Sequence, residues 1–284
     1  MYITTKYINP FTDFGFKRIF GSEESKPLLI SFLNDLLDIE SPIIDLEYKN
    51  LDNTPYTIDT YCKLNNNDSI IISLSILLNK YELNNPLARI PLFLKDKNIT
   101  FADLSLNYPS NDFPFNFHFI QLLNFNLHND KRYLSQFRLF DIQTKKEIYD
   151  RLTIYQIELP KLKKDKKELS NHLEKWLWFF NQLETLQEIP EVFKGDENFK
   201  KAFHLAELAQ MTPGEKISKA YSDYTNALDI AIKKEYEKGI QKGMKEGEKK
   251  AKIKIAKNLL DILDNETISK KTGLTIQEIE NLRK

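Results

Sequence analysis

The strongest constraint in this chain is a hairpin. Residues 56–64 and 69–77 are two runs rich in Ile, Thr, Tyr and Ser. Between them stand Asn65, Asn66, Asn67 and Asp68, side chains that tolerate the φ > 0 conformations of a tight turn. Upstream, residues 43–49 alternate as a strand does, and Asp52-Asn53-Thr54-Pro55 forms a turn into the hairpin. A three-strand meander follows, and residues two apart on one strand share a face. Asp59 stands on the first hairpin strand. The facing strand carries Ser73 and Ser75 where a paired carboxylate and a Lys or Gln would complete a metal site.

The rest of the chain builds around that meander. Asn9-Pro10 turns into a helix capped by Thr12 or Asp13, with Phe16, Ile19 and Phe20 on one face. Residues 23–37 carry Leu28, Leu29, Phe32, Leu33, Leu36 and Leu37 at the spacing of a core-facing helix, with Pro27 tolerable near its start. Pro86, Pro91, Pro109 and Pro114 limit residues 79–117 to short helical pieces such as 90–97. Residues 116–127, 134–142 and 152–159 read as further strands, so the first part of the chain is an α/β or α+β sheet domain. From residue 166 the pattern becomes helical, over 173–180, 197–209 and 213–232.

The tail is a different material. Residues 235–257 are almost wholly charged, with Gly239, Gly243, Gly247 and Ala251 at strict four-residue spacing. Each Gly costs roughly 1 kcal/mol against Ala in a helix interior. Two readings stand: a solvated linker helix, or close approach of helices in a homo-oligomer through Gly239, Gly243 and Gly247. After Asn265, two short helices flank Thr272-Gly273-Leu274, with Thr275 as N-cap and Glu278 at the capping-box position. That outline fits a DNA-reading helix-turn-helix or a helical interaction cap. Gln277, Glu278, Glu280 and Asn281 offer a phosphate backbone more acid than base. The expected organisation is 1–165 sheet domain, 166–232 helical region, 233–264 charged helix and 265–284 cap.

Charge and cysteine usage narrow the classes. Basic and acidic residues balance at 41 each, which gives the whole chain no field for a polyanion or a membrane surface. The balance is uneven, because 14 basic and 10 acidic side chains between residues 229 and 284 leave the first 228 residues at net −4. A single cysteine, Cys62, excludes an internal disulfide framework and a Cys-rich zinc site. His118, His128, His172 and His204 lack metal-ligand spacing. No apolar run approaches the ~20 residues of a membrane span, and the N-terminus has no apolar signal region, so a cytoplasmic protein is expected.

Several stretches together resemble one family. Asn9-Pro10, DFGFKRIFG at 13–21, LISFLNDLL at 29–37, FNLHNDKRYLSQFRLFD at 125–141, LTIYQIELPKL at 152–162 and the Gly-x-x-x-Gly tail stand in the order of the PD-(D/E)xK nuclease family transposases, also called recombination-promoting nucleases. The resemblance implies a restriction-endonuclease-like core, a helix and mixed sheet whose central hairpin holds the site, and a Mg²⁺-dependent DNA endonuclease ancestry. It implies that Asp59 is the strand Asp that binds metal, and that Ser73 and Ser75 stand where the family has its Glu and its Gln or Lys. A hydroxyl is neutral at pH 7 and a weak Mg²⁺ ligand. Asp13 contributes from the first helix or serves as a cap. Glu47 and Lys49 form an E-x-K on the preceding strand, either a relocated pair or an ordinary strand edge. Asp68 is a turn residue, and Arg89 matches a family Arg although Pro91 interrupts the helix expected there. The expectation is an impaired nuclease, or a DNA-binding or oligomerising protein on the same fold.

Overall fold

The alternating runs assemble into a six-stranded mixed sheet. In this computed structural model, which describes residues 5–80, 85–99 and 115–283, the strands are β1 (Ile43–Lys49), β2 (Thr57–Leu64), β3 (Ser69–Leu77), β4 (Asn116–Leu123), β5 (Leu134–Phe140) and β6 (Glu147–Glu158). Their spatial order is β1-β2-β3-β4-β6-β5. The first three form the antiparallel meander, β4 lies parallel to β3 and β6, and β5 returns antiparallel at the edge. The hairpin closes through Leu64 N–H to Asp68 O, with Asn67 at φ 68°. β4 ends four residues before the expected 127. The Leu127 and His128 N–H groups leave the ladder and donate to the buried Glu158 carboxylate. Pro109 and Pro114 lie outside the described residues.

The described helices are α1 (Asp13–Phe20), α2 (Lys26–Leu36), α3 (Ile90–Asp96), α4 (His172–Gln182), α5 (Glu197–Ala206), α6 (Pro213–Leu259), α7 (Asn265–Thr272) and α8 (Ile276–Arg283). Thr12 caps α1 by accepting from Gly15 N–H. Gly15 is obligatory there, because a Cβ would lie 2.0 Å from Asn9 O. Pro91 falls in the first turn of α3 and starts that helix where the sequence reading has it interrupting one, since its missing N–H and fixed φ suit a helix N-terminus. No break separates residues 213–232 from 235–257, and α6 runs through both.

Two layers cover the sheet. On one face Ile58, Ile72, Leu74, Ile120, Tyr155 and Ile157 pack with Phe16, Phe20, Phe32, Trp176 and Phe180 from α1, α2 and α4. Each such side chain contributes roughly 1.5–3 kcal/mol on burial, which makes this cluster the main driving force of the fold. On the other face a smaller cluster of Ile71, Phe117, Phe119 and Leu152 packs under Phe93 of α3. That smaller cluster reaches Phe119, the register partner of Ser73, and the next row along the same face, Ser75, Gln121 and Gln156, is polar.

The chain divides into two compact units, Met1–Ser222 and Asp223–Lys284. In the first, α4 and α5 share the core of the sheet. In the second, Ile268, Leu274 and Ile279 of the cap close over Ala256. Gly273, at φ 71°, ends α7. Thr275 and Glu278 then bond each other's backbone N–H in the capping box.

Candidate active site

The register brings Asp59 and Ser73 directly opposite each other, and Thr57 opposite Ser75. All four point to the face covered by α3, because alternate residues of a strand share a face. Ser75 continues in register to Gln121 and Gln156, so a polar row crosses β2, β3, β4 and β6. Thr57 and Ser75 share a hydrogen bond of 3.1 Å, Gln156 donates to Gln121 at 2.9 Å, and His128 meets Gln156 at 3.0 Å. A cavity of about 520 Å³ opens over this row, lined by Ser73, Ser75, Arg89, Leu92 and Gln121 among others.

Asp59 is buried, at 4% exposure, and both its oxygens are engaged. The Ser73 hydroxyl donates to Oδ1 at 2.7 Å, and Arg89 Nη2 donates to Oδ2. Arg89 Nη1 also holds Asp52 at 2.8 and 3.1 Å and Thr54 at 2.9 Å. One guanidinium therefore bridges two carboxylates and balances one of their two charges. Burial pushes the Asp59 carboxyl above its usual range, and the Ser73 and Arg89 contacts recover only part of that. Burial acts the same way on Asp52, but Thr54 and Arg89 outweigh it and hold Asp52 below the usual range. Arg89 is delivered by the short turn Pro86–Arg89 leading into α3, a placement that needs Pro86 and Pro91 at two successive helix starts.

The other sequence-predicted residues have pairings outside this clamp. Asp13 accepts from Tyr56 N–H at 2.6 Å and pairs with Lys17 at 2.9 Å, which ties α1 to the start of β2. Glu47 pairs with Lys49 at 2.6 Å on the edge strand β1, and Lys49 opposes Asp59 across the β1–β2 ladder. Asp68 accepts from the Asn66 amide in the hairpin turn. Asp52, read from sequence only as part of a turn, joins the site because Arg89 reaches both it and Asp59. Gln121 and Gln156 gave no signal at all, since isolated amides on apolar strands match no motif.

The family profile for PD-(D/E)XK nuclease family transposases matches residues 10–85 and 115–237, which contain every described strand and Asp52, Asp59 and Ser73, with Arg89 lying between the two matched segments. The chain belongs to that family. No curated protein and no solved structure matches it. The matched segments end within α6, before Gly239.

Nucleases of this family are generally divalent-metal dependent, so the donor set can be tested against Mg²⁺. Mg²⁺ requires near-octahedral oxygen ligands, usually with one or two carboxylates supplying charge. Here the residue facing Asp59 is a hydroxyl, and a fixed cation already lies on Asp59 and Asp52. No group of three His, Cys, Asp or Glu among the described residues is placed to share an ion. A dication beside the Arg89 guanidinium meets like charge in a low-dielectric pocket. The residues present do not fit the ion.

Proposed function

We propose that this family member binds DNA without cutting it, acting in the cytoplasm as a homo-oligomer assembled through α6. The observation that carries the non-cleaving reading is the state of Asp59. Its two oxygens are taken by Ser73 and Arg89, and the strand position that gives the family its second acid holds a hydroxyl. Phosphodiester hydrolysis at such a site needs charge to activate water and to neutralise the scissile phosphate. Arg89 is already paired with both Asp52 and Asp59.

DNA is the partner the nuclease family points to, and its backbone is read through counterion release. The test is twofold. Supercoiled plasmid incubated with Mg²⁺ or Mn²⁺ is expected to stay supercoiled, while fluorescence anisotropy detects duplex binding whose affinity falls as salt rises. Nicking that disappears in Asp59→Ala would establish an active nuclease and overturn the proposal. Absence of any salt-sensitive binding would remove its DNA-binding half.

A further inference from the structure

Helix α6 carries two adjoining rows of residues spaced by four. One row is bulky: Tyr224, Leu228, Ile232, Tyr236, Ile240 and Met244. Tyr224, Leu228, Ile232, Tyr236 and Met244 are 66, 47, 59, 61 and 71% exposed. The neighbouring row is small, running Ala227, Ala231, Gly239, Gly243, Gly247 and Ala251, with Glu235 the exception. A Cβ at any of the three glycines would meet nothing within 4 Å among the described residues. The chain's own packing therefore does not call for glycine, although glycine is the poorest helix former after proline.

We propose that a second copy of this chain docks here, the bulky row of each α6 lying in the small row of the other. This rests on the reading that the protein self-associates through α6. Rows spaced by four are the ridges and grooves whose mutual packing crosses two helices at about −50°. A ridge beside a groove is complementary to its own copy when the two-fold axis runs along the rows, and the two helices then cross in the same sense. An axis across the rows lays ridge on ridge. Aromatic side chains bury ~150–250 Å² each, so Tyr224 and Tyr236 of both copies, with the aliphatic side chains of the row and the surfaces they cover, reach the order of the ~1,200 Å² at the lower bound of a stable interface.

Charge separates this occupant from a polyanion. Ten lysines and four glutamates fall between residues 233 and 257, and eleven of these fourteen lie on the opposite half of the helix from the two rows. Two copies repel across water, so their association strengthens as salt screens the lysines, whereas a bound nucleic acid weakens. The experiment is sedimentation of the full chain across concentration and salt, beside the full-chain variant Gly239→Leu with Gly243→Leu. The wild type is expected at twice 33.5 kDa, more so at higher salt, and the variant at 33.5 kDa with helical content equal or higher by circular dichroism. A wild type monomeric at every concentration overturns both self-association and the row pairing. A dimer that survives both leucines overturns the pairing alone. A mass that rises only with added DNA and falls with salt gives the face to nucleic acid instead.

Discussion

At the scale of single residues, Arg89 decides the chemistry of the site. Removing it leaves Asp59 buried with only a hydroxyl to stabilise its charge, and breaking a buried pair from one side costs on the order of 3–5 kcal/mol. Arg89→Ala is therefore expected to lower the unfolding free energy by that amount, read from the denaturant midpoint and slope, and Asp59→Asn in the same background to recover much of it; equal losses that simply add would show that the pair is uncoupled. The clamp also bears on attempts to restore the family's acid. Ser73→Glu with Ser75→Gln is expected to show no Mg²⁺ binding by calorimetry while Arg89 is present, and to gain it only when Arg89→Ala is added. Gain of binding with Arg89 intact would mean that the two serines alone account for the misfit. Gly15 shows the same dependence on a single atom. Gly15→Ala drives a Cβ against Asn9 O, and overpacking of this kind costs about 1–3 kcal/mol, read as a lower midpoint at unchanged slope.

Among elements, the junction of α2, α4 and α5 carries a titratable latch. His172 at the start of α4, when protonated, donates from Nδ1 to Asp35 of α2 and from Nε2 to Asp196 at 2.7 Å. Asp196 also caps α5 by accepting from Asn198 N–H at 2.9 Å. Burial acts to lower the His172 pKa, but the two carboxylates outweigh it and raise it above the ordinary 6.5. A raised histidine pKa contributes stability in full below its unfolded value, and that contribution is lost as pH rises through the folded value. Thermal midpoints are thus expected to fall on going upward from about pH 6.5, and His172→Gln to flatten that slope; an unchanged slope would place the titration elsewhere. His118 behaves oppositely, because burial on β4 pushes it down to about 4 and keeps it neutral in the core.

For the whole molecule, periodicity and turn chemistry made much of the fold legible. β1 and β3 fall on the residues their alternation and turn asparagines mark, and α1, α2 and the capping box of α8 follow from local cap chemistry. These features are local, so the sequence alone determines them: a strand's alternation, a cap's hydroxyl and a turn's tolerance of positive φ act within a few residues. Family membership is legible for a related reason, because several such local patterns stand in a fixed order along the chain. Asp59, Ser73 and Ser75 could be placed together because a hairpin's register follows from its turn. The charged groups that meet at Asp59 could not. Arg89 lies 30 residues away on a turn beyond the sheet, and Asp52 precedes the hairpin, so their meeting depends on how α3 packs over Phe117 and Phe119. His172, Asp35 and Asp196 come together from three helices in the same way. Tertiary packing alone decided which charge neutralises the buried aspartate, because burial raises the electrostatic stake of a contact while sequence distance carries no information about it.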